Sequence, residues 1–287
     1  MQSKSSVFLR VLLNTFHPGP PQALLKNLPQ GEVKDVVDVK TSSQNPLAAL
    51  TWFQGAVART HYSWLAPVVA KMPAGIQGSV VAAIPEPQSS KLCSLLKIKP
   101  FPLPLPDKVK SMLLGRLYLE WKDPGAIPLE YLGESSVGEL LTLSKEELVE
   151  LINLLSMYDL AEGIRHIVDR KKLKAIYLCL SHREQAFLRI CLHKKEKLAA
   201  PKLDIDKWDG SREMLHRVLH RRGMLRLGKA LSGQERHFVW HLVHLLDTGR
   251  GNIILQYYAE QPVAGVTPLL IQQVVSVINF IKPKRTA

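Results

Sequence analysis

Apolar residues recur three and four positions apart along most of the chain, the period of helices packed on one side. Residues 144–155 carry the clearest case. Ser144 and Glu147 form a capping-box pair, and Leu148, Leu151, Ile152 and Leu155 follow at helical spacing. Ser181 and Glu184 repeat the box ahead of Phe187, Leu188, Cys191 and Leu192, and Ser232 and Glu235 repeat it ahead of Phe238, Val239, Leu242, Val243 and Leu246. Between these two, Leu215, Val218 and Leu219 place a helix over residues 211–222. Thr267-Pro268 opens a last helix, with proline in the first turn, where its missing N–H is no loss.

The first half is more broken. Residues 7–16 predict a short amphipathic helix that Pro18, Gly19, Pro20 and Pro21 stop. Residues 33–39 mix apolar and charged positions and read as a short strand or an extended linker. Asn45-Pro46 sets an N-cap and a first helical residue, giving a helix over 46–60. A second follows over 62–72, kinked at Pro67, and a third over 74–84. Pro85 and Pro87 close this unit of three short helices. Residues 100–106 alternate proline with Phe101, Leu103 and Leu105 and must be extended. We read them as a stiff linker rather than as a ligand for a proline-binding module. A helix over 107–121 comes next, ended by Pro124, Gly125 and Pro128. The expected class is therefore all-α, an array of short helices. The expected division is an N-terminal segment 1–45, a helical unit 46–99, a Pro-rich linker and helix 100–135, and a C-terminal helical domain 136–287.

Composition supports a packed protein. The 287 residues are 46% apolar and only 7% aromatic, so the core is aliphatic and disorder throughout is excluded. The net charge is +13, with much of the excess between Leu160 and Arg250. Such a balance favours an anionic partner: an acidic protein, an anionic membrane surface or nucleic acid. Three cysteines with no C-x-x-C spacing argue against a disulfide scaffold or zinc ribbon, and Cys179 and Cys191 read as core. The apolar run 7–13 is broken by Arg10 and no small-residue cleavage site follows, so no signal peptide is expected. The run 269–281 would be about 20 Å long as a helix, short of a hydrocarbon core of roughly 30 Å.

Candidate chemistry is sparse. His237, His241 and His244 share a helix face, as do His216 and His220. Imidazoles one turn apart can chelate zinc, but no carboxylate or thiol stands at ligand spacing. The plainer reading adds conditional charge and packing to a basic surface. No nucleophile elbow, phosphate loop or dinucleotide glycine signature occurs. No catalytic residue, cofactor or metal is expected. Cationic clusters lie at Arg170, Lys171, Lys172 and Lys174, at Lys194, Lys195 and Lys197, and at Arg217, Arg221, Arg222 and Arg226. They suit phosphate contacts, but no aromatic residues interleave for base stacking.

Two stretches resemble the flagellar motor switch protein FliG family. Residues 61–86 are similar to its middle-domain unit: His61 near a helix start, an apolar helix, the Met72-Pro73 break, a second helix, then Pro85-Glu86. In the family, Glu-His-Pro-Gln opens this unit and contacts the next ring component. Here Thr60, Tyr62 and Ser63 flank His61. Residues 141–227 resemble the family's C-terminal domain. They contain Asp159-Leu160-Ala161, a charged helix pair over 170–192 with Ser181 and Arg183, and a turn at Ala200-Pro201-Lys202-Leu203. The family's rotor helix carries an acidic pair where this chain has Ile190 and Cys191 after Leu188-Arg189, so torque generation is not implied.

The resemblance implies two armadillo-like helical units joined by the Pro-rich linker. It implies a non-catalytic cytosolic scaffold of a type III secretion apparatus, peripheral to the inner membrane. Its partners would be an inner-membrane ring protein and components of the sorting platform and ATPase complex, with possible contact to anionic lipid. The expected partner-binding residues are His61, Trp64, Lys171, Lys172, Lys174, Arg183, Arg189, Arg217, Arg221 and Arg222. The alternative is a basic helical nucleic-acid-binding protein.

Overall fold

The computed structural model describes residues 4–17, 22–39, 46, 48–121, 126–193, 203 and 208–282. Every regular element among them is helical. In chain order these are α1 (Lys4–Phe16), α2 (Gln22–Leu25), α3 (Gln30–Val37), α4 (Ala48–Arg59), α5 (Tyr62–Lys71), α6 (Ala74–Ala83), α7 (Gln88–Leu96) and α8 (Asp107–Trp121). After two 3-10 turns (Leu129–Tyr131 and Gly138–Thr142) come α9 (Lys145–Leu155), α10 (Met157–Ile164), α11 (Arg170–Cys179) and α12 (His182–His193). The chain finishes with α13 (Arg212–Ala230), α14 (Arg236–Leu245), α15 (Thr248–Tyr257) and α16 (Thr267–Ile281). No helix among the described residues is long and apolar enough to cross a membrane.

The chain forms two compact units, each discontinuous in sequence. Unit one comprises Met1–Ser135 with Arg236–Thr248, and unit two comprises Ser136–Glu235 with Gly249–Ala287. The expected C-terminal domain 136–287 thus gives up α14 to unit one. The reason is side-chain and backbone contact: Trp240, His241 and His244 of α14 meet the rings of Trp52 and Trp121, and the His244 carbonyl accepts from the His61 N–H at the start of α5.

In unit one the core is formed by α4 to α8, with Val57, Leu65, Val69, Val80, Val81, Leu92 and Leu117 all fully buried. The unit does not close at Pro85 and Pro87, because α7 follows and packs on α5 and α6. Residues 100–106 are extended, as expected, but they join two helices of this same unit. Phe101 donates its N–H to the Gly78 carbonyl, and Leu105 packs against the core. Residues 33–37 are helical rather than extended: Val36 faces Leu13 and Leu25, so its apolar positions follow a helix period. Pro67 sits inside α5, and His61 caps that helix. The expected N-cap Asn45 lies outside the described residues.

In unit two, α9, α13 and α16 pack together around Leu151, Ile152, Leu155, Leu219, Leu227, Val274 and Val277, and α12 lies on α10 through Phe187 and Leu188. The capping boxes at Ser144–Glu147 and Ser181–Glu184 are both formed. The third is not. Gly233 takes φ +78°, α14 starts only at Arg236, and the Ser232 hydroxyl accepts from the Ala259 N–H instead. The helix expected to stop at Arg222 continues through Gly223 and Gly228 to Ala230. A Cβ on Gly223 would lie 1.8 Å from the Ile152 carbonyl oxygen, and one on Gly228 would lie 2.6 Å from that of Ile254. These glycines are notches for close helix approach. Of the two expected core cysteines, Cys191 is buried and Cys179 is half-buried.

Candidate functional site

The expected binding residues fall into two groups. His61 and Trp64 are engaged inside unit one. His61 is buried, its N–H donates to the His244 carbonyl at 2.7 Å, and its Nδ1 accepts from the Ser63 N–H. The Trp64 indole donates to the Leu246 carbonyl at 2.8 Å and stacks on His244 with centroids 4.4 Å apart. Both residues attach α5 to α14.

The cationic residues belong to unit two. Lys171 and Lys174 on α11, Arg189 on α12, and Arg217 and Arg221 on α13 are exposed, with no ion-pair partner among the described residues. Lys172 and Arg222 are half-buried. Arg183 is held in place: it forks onto Glu150 of α9 at 2.9 and 3.0 Å and lies over the Phe280 ring. Helix α11 carries no acidic residue at all. On α12, Glu184 is buried and serves its capping box, which leaves Glu213 as the exposed acid of α12 and α13. His216 draws three helix ends together, its Nε2 2.9 Å from the Cys179 carbonyl and its Nδ1 3.9 Å from Glu184. The same helices carry apolar side chains with little cover: Leu178 on α11 is 71% exposed and Ile190 on α12 is 42% exposed. Lys194, Lys195 and Lys197 lie outside the described residues.

Arg226 is not part of this face. It is 5% exposed and forms a two-pronged pair with Asp159 at 2.8 and 3.0 Å. Gln273 accepts a further bond from it, and its guanidinium lies over the Tyr158 ring. A buried charge needs such complete pairing, and only arginine offers the planar fork for it.

The three histidines of α14 lie in unit one rather than on a basic surface. His237 and His244 are buried, and the His241 Nε2 donates to the Ile127 carbonyl at 2.9 Å. Burial is the main cause that lowers the His241 pKa to about 4, with Arg59 and the neighbouring His244 and His237 adding to it. This imidazole is neutral at pH 7 and adds no conditional charge. In unit two, His220 bridges Asn153, 2.7 Å from its Nδ1, and Arg250, which donates to its Nε2. No three His, Cys, Asp or Glu side chains among the described residues are grouped to hold a metal ion.

The periodicity gave no sign of an aromatic cluster in unit one. Trp52, Tyr118, Trp121 and Trp240 surround His241 and His244, with neighbouring ring centroids 4.5 to 6.1 Å apart. A cavity of about 400 Å³ opens beside them. Trp52 and Trp240 stand nearly two hundred positions apart, so only the high yield of tryptophan on α4, α8 and α14 could have hinted at it. These features define a helical protein with one strongly cationic unit and one aromatic-lined unit. Compared with protein-family models, curated proteins and solved structures, the chain has no match.

Proposed function

We infer that the chain is a non-catalytic adaptor that docks an acidic protein surface onto the cationic helices of unit two. The carrying observation is the composition of α11 to α13: Lys171, Lys174, Arg189, Arg217 and Arg221 are exposed with no paired acid among the described residues, and Leu178 and Ile190 on the same helices are exposed as well. Charges of one sign steer association, and apolar anchors that become desolvated hold the complex. The resemblance of residues 61–86 and 141–227 to the FliG family supports a particular setting. The adaptor would link the inner-membrane ring of a type III secretion apparatus to its sorting platform and ATPase complex, in the cytoplasm at the membrane periphery.

The same cations support a second reading, binding of nucleic acid through phosphates, which predicts a steep loss of affinity with salt. A pulldown from lightly crosslinked native cells, with nuclease present, separates the two. The adaptor predicts recovery of ring and ATPase-complex proteins, lost when Lys171, Lys174, Arg217 and Arg221 are all changed to Glu. Recovery of nucleic-acid machinery alone, removed by nuclease, would replace the adaptor with the second reading.

A further inference from the structure

The cavity in unit one has the make-up of a ligand site. Its walls are the rings of Trp52, Trp240, His241 and His244, with Leu129 and Leu245 beside them. At about 400 Å³ it falls within the size range of small-molecule pockets, and Gln54, Thr60, Arg59 and Glu130 add polar groups to its ring walls. The two charged lining residues, Arg59 and Glu130, are both exposed and of opposite sign, so the mouth has no net charge. His241 stays neutral and brings no charge to the interior.

A second, independent observation concerns Gly55, which also lines the cavity. It sits in the middle of α4, where glycine is the poorest residue after proline. A Cβ there would meet nothing within 4 Å, so no close packing demands the glycine, unlike Gly223 and Gly228. The space in front of it is open.

We propose that this cavity binds a planar aromatic ring of about indole size with no net charge, seated against Trp240 and Trp52. Offset and edge-to-face ring contacts supply the attraction, and the neutral interior disfavours ions. The ring can come from a free small molecule or from an aromatic side chain of a polypeptide.

The test follows the indole N–H signals of the five tryptophans in the ¹⁵N-labelled full chain during titration with indole and, separately, with N-acetyl-tryptophanamide. Saturable shifts of Trp52 and Trp240 are expected with a dissociation constant at or below about 1 mM, while Trp208 of unit two stays unmoved. Tighter binding of the amide assigns the ring to a polypeptide, and tighter binding of indole assigns it to a free compound. Gly55→Leu projects an isobutyl group into the opening and is expected to weaken binding at least about tenfold, with Gly55→Ala close to the parent. Leu129→Trp fills the space from a different element and should act alike. Absence of saturable shifts up to about 10 mM, or unchanged affinity in both Gly55→Leu and Leu129→Trp, would overturn the proposal.

Discussion

The two units bury polar groups in opposite ways. Unit one surrounds α14 with aromatic rings, and the polar groups it encloses there are imidazoles, His237, His241 and His244. Unit two is mainly aliphatic, its helices meet at glycine notches, and it encloses a charged pair, Asp159 with Arg226. The difference teaches where each unit is vulnerable. A neutral buried imidazole is satisfied by one carbonyl but resists protonation, so acid attacks it. A buried ion pair is stable only while both partners remain, so a single truncation attacks it.

The sharpest way to break unit two is therefore to remove one charge. Arg226→Ala strands Asp159 and should cost about 3–5 kcal/mol, measured by urea denaturation. Asp159→Leu combined with Arg226→Met should recover most of the loss. If the double variant is as unstable as the single, the pair is not the reason for the cost. Gly223→Ala comes next, at about 3 kcal/mol or somewhat more, because its Cβ would collide with backbone rather than a movable side chain. A thermal midpoint within a degree or two of the parent would contradict the notch.

For unit one the matching perturbation is pH. The folded pKa of His241, about 4, lies below the ordinary value of 6.5. The unfolded chain therefore binds a proton that the folded chain refuses. Stability is full above pH 6.5 and falls by on the order of 1 kcal/mol per pH unit down to about pH 4. Urea titrations read by tryptophan fluorescence at stepped pH should show this slope. His241→Gln, which keeps a donor for Ile127 without titrating, should flatten it; an equal slope in the variant would assign the acid response elsewhere. The smallest effect is at the surface of unit two: Ser144→Ala removes an N-cap and should lower stability by about 1 kcal/mol.

Local chemistry made much of the helix pattern legible. The boxes at Ser144 and Ser181, the proline at the start of α16 and the extended prolines of residues 100–106 all act within a few residues, so reading them needed no partner. The box at Ser232 misled because Ser-x-x-Glu is satisfied only if the intervening residues are helical, and Gly233 adopts φ +78°. The helix expected over 211–222 runs on through Gly223, which serves a neighbouring helix by letting its backbone approach. Of the candidate site, the exposed Lys171, Lys174, Arg189, Arg217 and Arg221 could be read from charge alone. Charge could not separate them from Arg226, which shares α13 with Arg217 and Arg221 but is buried, or from Arg183, which Glu150 holds.

The sequence by itself determined the helical class, most helix starts and the basicity of the second half, because periodicity, caps and net charge are short-range or summed properties. The tertiary structure alone decided that α14 completes unit one, that Arg226 pairs with Asp159, and that the tryptophans of α4 and α14 line one cavity. Each of these depends on contacts between residues 60 to 190 positions apart, and such contacts leave no local spacing to read.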